Sequence, residues 1–144
     1  MHPIRKQIWL WLTWLFQLTA IVLQATPFGV AVERLRSAGG VETTVYLYHS
    51  YFSSVPALTY NVFPMISALC CAASAILLSL RLFRPQAAEK YGKAILTLII
   101  LSVIASGITY GIAPTGVSAA ITGILAAAIA AYAVAGRKKC ERAA

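Results

Sequence analysis

The sequence predicts an all-α integral membrane protein, a four-transmembrane-helix antiparallel bundle with a structured outer loop between helices 1 and 2. Three observations predict it. Four apolar runs, at about 7–26, 61–82, 93–112 and 116–135, are each near the 20 residues that an α-helix needs to cross roughly 30 Å of hydrocarbon. The 144-residue chain is 60% hydrophobic and only 11% charged, whereas charged residues make up about a quarter of an ordinary soluble domain. Finally, ten of the twelve Lys and Arg fall in alternate breaks: Arg5 and Lys6; Arg81, Arg84, Lys90 and Lys93; Arg137, Lys138, Lys139 and Arg142. The other breaks carry only Arg34 and Arg36, offset by Glu33 and Glu42. Because Lys and Arg are retained in cytoplasmic loops, both termini are expected in the cytoplasm, in a bacterial plasma membrane.

The whole chain, 1–144, reads as a single membrane domain. Its formal charge of +8 would suggest nucleic acid in a soluble protein. With the basic residues gathered at helix ends, the expected partner is instead the anionic headgroups of the cytoplasmic leaflet, with no nucleic acid.

The first run follows a basic start like a signal peptide, but it is longer than the roughly 7–15 residues of a signal core, and cleavage after Ala20 or Ala25 would put Leu18 or Leu23 where a small residue is preferred. An uncleaved helix is expected. Trp9, Trp11 and Trp14 near its start read as interfacial anchors. Thr13, Gln17 and Gln24 share one face. A glutamine amide is costly in hydrocarbon, so Gln17 should point inward, as an interhelical hydrogen bond or as the lining of a small polar cavity.

The outer segment, 27–60, is the substantial region outside the membrane. Phe28, Ala31, Val32 and Leu35 fit a short amphipathic helix begun at Thr26-Pro27 and ended at Gly39-Gly40, with a hairpin as the competing reading. Val41 to Tyr48 favours an extended strand. The aromatic cluster that follows supplies the expected recognition surface, Tyr46, Tyr48, His49, Tyr51, Tyr60 and Asn61, since rigid rings combine contact area with polar tips. Headgroup-depth capping of the bundle is the plainer alternative.

The second helix should start with Asn61 accepting from free amides and Pro64 in the first turn, and should close at Pro85. Ser67, Cys71 and Ser74 mark its inward side. The third offers Ser102, Ala105, Ser106 and Thr109 on one face and a Gly107–Gly111 step on another, for packing within the molecule or between copies. Only Ala113-Pro114-Thr115-Gly116 separates it from the fourth, so these two form a tight hairpin. Along the fourth helix, Gly116, Ala119, Ala120, Gly123, Ala126, Ala127, Ala130 and Ala131 make a small-residue stripe, expected to be the packing face, with Val117, Ile121, Leu125, Ala128 and Tyr132 turned away.

No arrangement of residues has catalytic, cofactor or metal-ligand spacing. Cys70 and Cys71 are adjacent within a helix, and Cys140 lies in the tail, so there is no C-x-x-C pair. In size and helix number the chain is similar to small multidrug-resistance transporters, but no Asp or Glu falls within a span to couple drug to proton. It resembles claudin-like tetraspans in its long first outer loop, without their outer cysteine pair. Size and basicity are similar to microsomal glutathione-transferase-like proteins, without a matching motif. These readings imply a non-enzymatic subunit or accessory protein, acting with a membrane-protein partner or as a homo-oligomer. An oligomeric channel or uniporter lined by the Gln17 stripe is the alternative.

Overall fold

The computed structural model describes residues 3–38, 41–53, 61–84 and 91–136. Helix α1 spans Pro3–Ala25, strands β1 and β2 span Val30–Ala38 and Val41–His49, and helices α2, α3 and α4 span Phe63–Phe83, Gly92–Ile112 and Gly116–Gly136. All four helices are long and apolar enough to cross a membrane. Their ends fall within a few residues of the apolar run boundaries.

Local chemistry explains those ends. The Phe63 N–H donates to Asn61 Oδ1 at 3.2 Å, and Pro64 occupies the first turn of α2, where a missing N–H costs nothing. Between α3 and α4, Thr115 and Ser118 cap each other reciprocally: the Ser118 N–H donates to Thr115 Oγ1 and the Thr115 N–H to Ser118 Oγ, both at 3.0 Å. Pro85, expected to close α2, lies outside the described residues.

Each helix packs on its sequence neighbours, and α4 returns to α1 in the most extensive helix–helix contact. Cross-links give the directions. Gln17 meets Ser74 while Gln24 meets Ser67, so α2 runs against α1. Ser67 meets Ser102 while Arg81 lies by Gly92, so α3 runs against α2. Ser106 meets Thr122 while Tyr132 meets Gly92, so α4 runs against α3.

The packing face of α4 is the opposite of the one expected. Ile121, Leu125, Ala128 and Tyr132 are buried, whereas Gly116, Ala119, Ala120, Gly123, Ala126 and Ala130 are exposed and Ala127 is half-buried; Ala131 alone of the stripe is buried. A Cβ built on Gly107, Gly111 or Gly123 would meet nothing within 4 Å, so these glycines admit no close backbone approach within the molecule. The branched side chains of α4 instead fill the space between α1 and α3. Gly107 is half-buried and Gly111 exposed, while Ser102, Ala105, Ser106 and Thr109 of α3 are buried as expected.

The segment after α1 is a two-stranded antiparallel hairpin, not an amphipathic helix followed by an unpaired strand. Its register pairs Val30 with His49, Val32 with Leu47 and Arg34 with Val45. Val30 and Val32 are buried in a cluster with Ala20, Ala68, Cys71, Ile121 and Leu125, so β1 lays one face on the ends of the helices. Side chains alternate across a strand, and β-branched valines at positions 30 and 32 satisfy that period better than the helical spacing of Phe28, Ala31, Val32 and Leu35 satisfies a helix.

Tyr51, expected on the outer surface, is the keystone of this junction and fully buried. Its N–H donates to Gln24 O at 2.9 Å, which occupies a terminal carbonyl of α1, and its hydroxyl lies 3.4 Å from Ser106 Oγ. Burial pushes the phenol pKa up. A Cβ on Gly29 would come within 3.1 Å of the Tyr51 ring, so glycine lets the chain enter β1 here without displacing the tyrosine.

At the opposite end, Arg81 reaches across to α4. It donates to the Tyr132 hydroxyl, with the guanidinium carbon 5.5 Å from that ring's centroid, and Tyr132 in turn donates to Gly92 O at 2.9 Å. Three helices are tied by one phenol. Trp14 is likewise an interhelical donor, to Ser79 Oγ at 2.8 Å, while Trp11 packs edge-on against Trp14 and Phe83.

Candidate functional site

Two regions of the molecule carry polar groups beyond what helix packing alone requires. The first is the seam between α1, α2 and α3. Thr13, Gln17 and Gln24 are all fully buried, and so are Ser67, Ser74 and Ser102. Ser74 Oγ donates to Gln17 Oε1 at 2.7 Å, and Gln24 Nε2 donates to Ser67 Oγ at 3.2 Å. Ser67 and Ser102 then clasp α2 to α3, each hydroxyl reaching the other's backbone carbonyl, at 3.0 and 2.9 Å. Thr13 bonds locally, to Trp9 O at 2.8 Å.

These bonds close the seam. Residue spacing put Thr13, Gln17 and Gln24 on one inward face, and the structure places them there. It joins both glutamines to serines of α2. Gln17 Nε2 and Gln24 Oε1 remain without a protein partner. Each interhelical bond of this kind stabilises a membrane protein by about 0.6–1.7 kcal/mol. Gln17→Leu should therefore lower the melting temperature in mild detergent while leaving the chain folded, and any solute flux in proteoliposomes should be the same for both forms. A flux lost in Gln17→Leu without a change in melting temperature would overturn this assignment.

The second region is a half-open groove of about 910 Å³ at the hairpin end. One wall is the hairpin face that does not pack on the helices: Ala31 and Glu33 of β1, directly opposite Tyr48 and Tyr46 of β2, with Phe28 at the edge. The other wall is the α3–α4 turn, Ile112 to Val117. Thr115 fixes the two walls together, donating from Oγ1 to Gly29 O at 3.0 Å. The rings of Phe28 and Tyr48 stand 6.3 Å apart and tilted by 56°.

Strand parity sorts the hairpin's charges. Residues 33 and 42 share a face with Tyr46 and Tyr48, whereas Arg34 and Arg36 fall on the other, so the offset of basic by acidic residues is a separation in space. Among the described residues that line the groove, Glu33 is the one ionisable acid or base apart from the tyrosine phenols. The Tyr46 hydroxyl hydrogen-bonds to Glu33, and this bond, followed by the carboxylate's charge, holds the phenol pKa above its ordinary value.

Of the expected recognition residues, the structure brings Tyr46 and Tyr48 together in the groove, both about half exposed. Tyr51 and Asn61 are buried and serve the fold instead. His49 is half-buried, with a buried Nε2 that has no protein partner. Tyr60 lies outside the described residues. Phe28, Ala31, Glu33 and the 112–117 turn are the groove residues that spacing did not single out as a site. The signal for Glu33 was the alternation of Glu33 with Arg34 and Arg36, which sorts charges by face only once a strand is assumed.

Among the described residues no group of three or more His, Cys, Asp or Glu stands close enough to hold a metal ion. No protein-family model, curated protein or solved structure matches the chain.

Proposed function

We propose that the protein is a small non-enzymatic membrane subunit or accessory protein, its four antiparallel helices forming a membrane-spanning bundle with cytoplasmic termini and an outward hairpin that recognises a partner. The observation that carries this reading is the hairpin end. It exposes Phe28, Tyr46 and Tyr48 in a preformed groove, Leu35 further along the same face, Val45 and Leu47 on the hairpin's other face, and Phe52 just beyond β2. Aromatic and aliphatic side chains exposed together are characteristic of interaction surfaces. The clustering of ten of twelve Lys and Arg in alternate breaks of the sequence supports the orientation. The hydrogen-bonded seam argues against a pore through a single copy, because both glutamines spend a polar atom on α2 and neither is exposed.

Copurification under mild detergent tests the proposal. A stoichiometric membrane-protein partner should be retained by the wild-type chain and lost from Tyr46→Ser/Leu47→Ser, whose exposed positions leave the helices unaltered. Retention of the same partner by the double variant would rule out the hairpin as its binding surface. Solute flux by the purified chain alone would favour a channel instead.

A further inference from the structure

We infer that the groove between the hairpin and the α3–α4 turn is a binding site for an organic cation, a substituted ammonium group carrying an apolar body. The inference rests on the reading of the hairpin end as the recognition surface and names the chemistry that this surface accepts.

Three features of the groove select that chemistry. Its charge is anionic in a protein of net +8: Glu33 lies in the lining, Glu42 is further along the same face, and Arg34 and Arg36 point to the other. A carboxylate has about four lone-pair positions, so the bond from Tyr46 leaves Glu33 able to accept more. Apart from Thr115, whose hydroxyl donates to Gly29 O, the other lining side chains are apolar or aromatic, and Phe28 and Tyr48, tilted at 56° with centroids 6.3 Å apart, form a corner of π-faces. Ring faces attract cations through their quadrupole, most strongly when the cation is poorly hydrated, as alkylated ammonium groups are. A metal ion is disfavoured by the same lining, because hard cations need six or more oxygen ligands and one side-chain carboxylate lies here.

Size completes the argument. At about 910 Å³ the groove is at the upper end of the roughly 300–1,000 Å³ typical of small-molecule sites, larger than a bare tetramethylammonium would fill. The remaining volume faces Ala31, Ile112, Pro114 and Val117, which suit hydrocarbon. Such a ligand has two sources, a free amphiphilic cation or the choline headgroup of a lipid with its first methylenes, and both present the same group to Glu33 and the rings.

Benzyltrimethylammonium is the probe. It should bind the full-length protein in an uncharged maltoside detergent, measured by titration calorimetry, while benzenesulfonate, similar in size and opposite in charge, should give no heat. Glu33→Gln should weaken binding by about five- to ten-fold, the change expected for losing one partly screened charge pair. Tyr48→Leu should weaken it by about three- to ten-fold through the lost ring face. Both positions are exposed, so melting temperatures should match wild type. Added phosphatidylcholine, but not phosphatidylglycerol, should compete if the natural ligand is a lipid headgroup. Competition by neither lipid assigns the site to a free cation.

Equal affinity in Glu33→Gln and wild type, or binding of benzenesulfonate as tight as that of the cation, would overturn the site. Loss of cation binding with partner capture intact would refute this assignment alone. Cation binding without any partner would refute the accessory reading alone.

Discussion

Tyr51→Ala should be the most damaging single substitution in the hairpin region, lowering stability by about 3–5 kcal/mol, the range for truncating a buried aromatic. The ring is fully buried and packs against Gly29, within a cluster that contains Val30, Val32, Ala20 and residues of α2 and α4. Its hydroxyl contributes less. Tyr51→Phe removes a 3.4 Å contact to Ser106, whose own oxygen keeps Thr122 at 2.8 Å, so a loss of only about 0.5–1.5 kcal/mol is expected. Thermal unfolding in mild detergent should separate the two variants clearly. If both melted alike, the packing role of the ring would be refuted. Because Tyr51 holds the base of the hairpin, Tyr51→Ala should also abolish capture of any partner that needs the groove, although residue 51 does not line it.

Leu125→Ala against Gly123→Leu is expected to give the second large difference. Leu125 is fully buried in the cluster beneath the hairpin, and its truncation leaves a cavity between α4 and α1. In water such a change costs about 2–5 kcal/mol, and in a bilayer the lower half of that range applies, because lipid tails are as apolar as leucine and only the lost packing counts. Gly123 is exposed, with open space where a Cβ would stand. Adding a leucine there should leave monomer stability nearly unchanged. The small-residue stripe predicted the reverse order, so the comparison decides which face of α4 packs inward. A Gly123→Leu protein less stable than Leu125→Ala would restore the stripe as the packing face.

The reversal on α4 has a physical origin. In α1, α2 and α3 the inward face is marked by polar groups that must avoid lipid, Gln17, Ser67, Ser74, Ser102 and Ser106, and those faces were legible from spacing alone. Almost every side chain on α4 is compatible with lipid, so size was used in place of polarity as the marker. Its three hydroxyls held the right phase: Ser118 and Tyr132 are buried and Thr122 bonds to Ser106, on the same side as Ile121 and Leu125. The hairpin was legible only as the weaker of two readings. Phe28, Ala31, Val32 and Leu35 fit a helical repeat, and Gly39-Gly40 can end a helix or join two strands. What decides between them is the burial of Val30 and Val32 on the helix ends, a tertiary contact that no local pattern contains.

The groove was half legible for a related reason. Tyr46 and Tyr48 stood out by residue type, but a groove needs a second wall, and that wall is the turn more than sixty residues later in the chain. Thr115 brings it into place through a single bond to Gly29. Spacing within one segment carries no information about such a pairing.

The contact between the first and last helices also orders events at the ribosome. The Leu10 and Ala20 side of α1 is completed by α4, which begins ninety residues after α1 ends. At about 5–20 residues per second, the newly synthesised α1 waits some 5–20 s for that neighbour. Its glutamines need not wait as long, because α2 arrives first with Ser67 and Ser74. The polar atoms of α1 are thus matched by the earliest available helix and its apolar side by the latest. A chain arrested before α4 emerges would hold a three-helix intermediate whose open flank is hydrocarbon, which lipid can cover until synthesis is complete.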